Sequence, residues 1–85
     1  MAAAWLKCHL KEGMFSNEFV ACYPPTGTCA SSFFVPKEFV QGDIGKQGKG
    51  RVKVQYTVRG GDVWVVLPTE DQQVIKVQGT DVIKR

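Results

Sequence analysis

At 85 residues, 44% hydrophobic and 22% charged, the chain has apolar mass for one core and too little for two, and it lies far from the composition of disordered segments. Eleven Lys and Arg against eight Asp and Glu leave a net charge of +3, so any polyanion-binding role depends on where the cations sit and not on their sum. No apolar run nears the roughly eighteen residues of a membrane span, and Lys7 and His9 interrupt the first ten residues before a secretory core forms, which predicts a single cytoplasmic domain over residues 1–85 with no membrane partner.

Alternation at period two recurs along the chain, and no window sustains apolar residues at helical spacing, which predicts an all-β protein. Leu6, Cys8 and Leu10 share one face of a first strand ending near Lys11, and Trp5, Lys7, His9 and Lys11 share the other. A polar loop over residues 12–18 leads to a second strand, Phe19 to Tyr23, which Pro24 and Pro25 terminate in a turn. Ser32 to Val35 reads as a third strand ended by Pro36, with a single helical turn over residues 36–40. Gly42, Gly45, Gly48 and Gly50 then make residues 41–50 a mobile loop.

The clearest element is Arg51 to Arg59, where Val52, Val54, Tyr56 and Val58 alternate with Arg51, Lys53, Gln55, Thr57 and Arg59. Gly60 and Gly61 supply a two-residue hairpin turn, because the favoured turn types need positive φ. That loop length pairs Val58 with Val63, Tyr56 with Val65 and Val54 with Leu67 on the core side, and Thr57 with Trp64 and Gln55 with Val66 on the opposite face. Pro68 ends the return strand, Val74 to Val77 forms another, and a turn at Gly79-Thr80-Asp81 precedes a last strand over residues 82–85.

These five or six short strands predict a small antiparallel barrel with few free edges. Their order and the short turn before the last strand resemble an SH3-like barrel, with an OB-like barrel or an open meander as alternatives. The resemblance is one of element lengths and implies no functional residues, since the motifs of signalling SH3 domains are absent. The segment from Gly45 to Val54 also resembles the KOW element of ribosome- and transcription-associated SH3-like domains, where glycine and basic residues lead into an alternating strand.

Three cysteines without a secretory signal fit a reducing compartment in which they remain thiols, although Cys22 and Cys29 flank the Pro-Pro turn at a spacing that a disulfide would allow. Adjacent Cys8 and His9 project to opposite faces of a strand and cannot act together, and nothing local pairs His9 with Cys22 or Cys29. Tight-knuckle metal spacing is missing, and the carboxylates cluster at turns rather than in a spaced acid and base pair. The sequence therefore predicts no catalytic residues, metal, cofactor or small-molecule substrate.

Two surfaces point to a binding module. Trp64, Val66 and one of the adjacent Phe33 and Phe34 form an aromatic and aliphatic surface suited to a protein partner or to a second copy of the chain. Alternatively, Lys46, Lys49, Arg51, Lys53 and Arg59 run from the glycine-rich loop along one strand face, a pattern suited to a nucleic-acid backbone. Trp64 on the same face would then stack bases.

Overall fold

The computed structural model describes residues 2–13, 15–26, 29–42 and 49–84. These residues form eight antiparallel strands and no α-helix: β1 (Ala2–Glu12), β2 (Glu18–Tyr23), β3 (Ser31–Pro36), β4 (Val40–Gln41), β5 (Lys49–Arg59), β6 (Asp62–Val66), β7 (Val74–Val77) and β8 (Val82–Lys84). One 3₁₀ turn, Lys37–Phe39, follows Pro36, and a second, Gly79–Asp81, precedes β8. No described helix is long and apolar enough to cross a membrane.

The expected small antiparallel barrel forms as a strongly curled sheet, a half-barrel with strands in the order β3-β2-β1-β5-β6-β7. At its centre the two 11-residue strands β1 and β5 lie side by side from Ala2↔Tyr56 to His9↔Lys49. The outer edge of β1 is divided: β8 pairs with residues 4–6 and β2 with residues 9–12. The far edge of β5 is likewise shared between β4 and β6. After β7 the chain bends through the second 3₁₀ turn and returns to β1, so β8 carries the curl round.

Alternation sets which side is dry. Ala4, Leu6, Cys8 and Leu10 of β1 and Val52 and Val54 of β5 point inward with Ala21, Tyr23, Phe33, Val35, Val65, Leu67 and Val77. Gly60 and Gly61 both adopt positive φ (58° and 86°), and the hairpin register is the one the sequence predicts, with Tyr56 opposite Val65 and Thr57 opposite Trp64. The dry side is shorter than predicted. Val58 is exposed and Tyr56 only half-buried, because the hairpin tip projects past the core; the Lys84 ammonium lies 5.8 Å from the centre of the Tyr56 ring.

Three further expectations change. β5 begins at Lys49 rather than Arg51, and the two-residue β4 was not foreseen. Residues 43–48, the middle of the expected mobile loop, lie outside the described residues, as does most of the loop half of the KOW-like stretch. Cys22 and Cys29 are joined in a disulfide across the Pro-Pro turn, so two of the three cysteines are not the thiols expected of a reducing compartment.

Tyr23 fastens the closure. Its hydroxyl donates to Asp81 Oδ2 (2.5 Å) and accepts from the Gln78 N–H (3.0 Å), tying the end of β2 to the turn that delivers β8. Burial, reinforced by the Asp81 hydrogen bond, pushes the Tyr23 phenol up to about 12.

Candidate nucleic-acid interface

The outer face of the curled sheet is built by the residues that alternate with the core. On β1 these are Ala3, Trp5, Lys7, His9 and Lys11, and on β5 they include Arg51, Lys53, Gln55, Thr57 and Arg59. The β1–β5 register sets Lys7 directly opposite Arg51 and Trp5 opposite Lys53. Directly opposed like charges destabilise a sheet, and no carboxylate of the described residues lies within 4 Å of Lys7, Arg51, Lys53 or Arg59. The one ion pair among the described residues, Lys76 to Asp62 at 3.7 Å, is exposed and lies at the β6–β7 end of this same face, where Asp62 is in register with Arg59.

Aromatic residues flank this cationic row. Trp5 on β1 sits beside Lys53 and, on its other side, beside Ile83 of β8. Trp64 on β6 lies between Thr57 of β5 and Lys76 of β7. Both tryptophans are half-buried, so each keeps part of its ring at the surface.

The predicted site residues separate into groups. Arg51, Lys53 and Arg59 share the outer face as expected, and Lys49 continues the β1–β5 ladder opposite His9; Lys46 lies outside the described residues. Trp64 and half-buried Val66 line a shallow groove with Thr57, Arg59, Asp62 and exposed Val74, which faces Val66 across the β6–β7 pairing. Phe34 is 57% exposed on the outer face of β3, whereas Phe33 is a core residue and is removed from the surface proposed for partners. Four strand steps separate β3 from β6, roughly 19 Å along the sheet, so Phe34 does not join the Trp64 groove.

Trp5, Lys7 and Lys11 also belong to this outer face, although no sequence motif marks them. Alternation alone turns them outward, but only the pairing of residues 2–9 with 49–56 brings Lys7 and Trp5 beside Arg51 and Lys53, while Lys11 is in register with Val20 of β2.

The cysteines do not supply a nucleophile here. His9 is in register with Cys22, but that sulfur is bonded to Cys29. Cys8 faces the core, and its thiol is pushed up to about 12 by burial first and by the nearby Asp81 charge second, which suppresses the reactive thiolate. Compared with protein-family models, curated proteins and solved structures, the chain matches none.

Proposed function

We propose that the protein is a non-enzymatic binding module whose outer β1–β5 face holds a single strand of nucleic acid. One observation carries this reading: two separate stretches of sequence, each with cations on alternate positions, are paired so that Lys7 meets Arg51 with no acid among them. Phosphates along the strand would replace the mutual repulsion of these cations with attraction, releasing counterions as they bind. Trp5, in register with Lys53, and Trp64, in register with Thr57, offer aromatic surface beside the row, and each base stacked on an aromatic ring contributes about 1–3 kcal/mol without reading sequence. A sequence-tolerant, strongly salt-dependent ligand follows from that chemistry.

Fluorescence polarisation with labelled single-stranded and duplex oligonucleotides tests it. Single strands should bind more tightly, and the logarithm of affinity should fall linearly with the logarithm of salt at a slope of about −0.7 for each phosphate neutralised. A flat titration at low salt with both probes removes the reading.

The Trp64–Val66–Val74 groove supports a second reading, a protein partner or self-association through β6 and β7. Light scattering that gives a concentration-dependent mass, abolished by Val74→Lys, would favour it over the first.

A further inference from the structure

One pocket lies where β1, β5 and the turn after β2 meet, and Lys7, Arg51, Pro25, Thr26, Gly42 and Gly50 line it. We infer that this pocket is the seat of one phosphoryl group, gripped by Lys7, Arg51 and Thr26; the inference rests on the nucleic-acid reading only for the source of that phosphoryl group. Three kinds of donor converge on it. Arg51 offers a planar fork that meets two oxygens at once, Lys7 a compact charge, and Thr26 a hydroxyl. Cys8 and Ile83 complete the described lining, and no carboxylate is among the described residues that line the pocket.

The two cations arrive from strands whose register makes them direct cross-strand neighbours, and nothing among the described residues neutralises either one. An oxyanion between them accounts for a pairing that is otherwise unfavourable. The wall carrying Pro25 and Thr26 is a covalently closed turn, since Cys22 and Cys29 bracket it. Gly42, at φ 133°, contributes only main chain to the pocket, whereas a side chain at Gly50 would enter the core against Leu10 and not the pocket. These features describe a preorganised recess for a compact anion, distinct from the open row that Lys53 and Arg59 extend along the face.

The probe is inorganic phosphate, titrated at constant ionic strength with chloride as the balancing anion and followed by amide chemical shifts. Saturable shifts at Thr26, Gly42 and Arg51 are expected. Lys7→Gln and Arg51→Gln should each weaken phosphate roughly tenfold, and Thr26→Val by a smaller factor, with folding checked from the unaffected shifts of the β6–β7 strands. Lys53→Gln, on the same face but outside the pocket, should leave phosphate affinity unchanged. Shifts spread over the whole face, or equal losses from Lys53→Gln and Lys7→Gln, overturn the inference.

The same variants are then compared with a single-stranded oligonucleotide. Localised phosphate binding with no oligonucleotide binding keeps the pocket and refutes the nucleic-acid reading. Oligonucleotide binding without localised phosphate shifts refutes the pocket and keeps the broader face.

Discussion

The Tyr23 hydroxyl and the Asp81 carboxylate meet at 2.5 Å although 58 positions separate them in the chain, and the Gln78 N–H completes the contact from the other side. The contact joins the hairpin of β2 and β3 to the turn that carries the chain into β8. Tyr23→Phe keeps the ring in the core and removes only the oxygen, leaving the Gln78 N–H and Asp81 without this partner. Unfolding in urea should show a loss of about 1–3 kcal/mol with an unchanged slope.

Alkaline pH should weaken the same contact. The Tyr23 phenol is raised from 10.0 to about 12 and the Cys8 thiol from 9.0 to about 12, so each contributes stability that is fully present below its unfolded value. That contribution declines as pH rises from the unfolded values towards about 12, because the unfolded chain releases the protons first. Denaturation midpoints should therefore drop across this window, and Tyr23→Phe should remove the tyrosine share of the drop.

Lys7→Glu should raise the stability of the free protein while damaging its proposed role. The change turns an opposed pair of cations with Arg51 into a cross-strand pair of opposite sign, a gain of about 0.5 kcal/mol at an exposed site. Thermal unfolding should shift upward, and oligonucleotide and phosphate affinity should both fall. A variant that loses both stability and binding would mark Lys7 as a structural residue only.

Gly50→Ala should be among the most damaging small substitutions in the described strands. A β-carbon there would overlap Leu10 Cδ1 and come within 3.1 Å of the Gln41 carbonyl oxygen, so either the core or β4 must move. Overpacking of this kind costs typically about 1–3 kcal/mol. Gly79→Ala is the matched control, since its added carbon would meet only Val63 Cγ2 at an ordinary 3.6 Å.

Thiol titration checks the bridge. Before any reductant is added, Cys8 alone should react, and only after denaturation, because it is buried and the other two sulfurs are joined. Cys22→Ser with Cys29→Ser should lower stability by about 2 kcal/mol through the freed loop, and should weaken phosphate if the Thr26 wall needs the clasp.

Local chemistry was legible in the sequence and remote pairing was not. Gly60-Gly61 fixed the hairpin register to the residue, since a two-residue turn leaves no freedom in which positions face each other. Alternation placed Leu6, Cys8 and Leu10 inside and Lys7 and Lys53 outside. It could not tell that residues 2–9 pair with residues 49–56, because no turn joins those strands, and so the opposition of Lys7 to Arg51 stayed hidden. Val58 was misread for a related reason: period two reports which side a residue faces and says nothing of where the neighbouring layer stops. The Cys22 and Cys29 spacing permitted a bridge, but the absence of a secretory signal argued against one, and the geometry of the β2–β3 hairpin decided the matter.

β8 covers residues 4–6 of β1 and nothing else in the described chain pairs with that edge there. Removing residues 82–84 would bare a line of main-chain donors and acceptors beside Leu6, on which a foreign strand could grow. Clipped molecules should accordingly aggregate more readily than the intact chain.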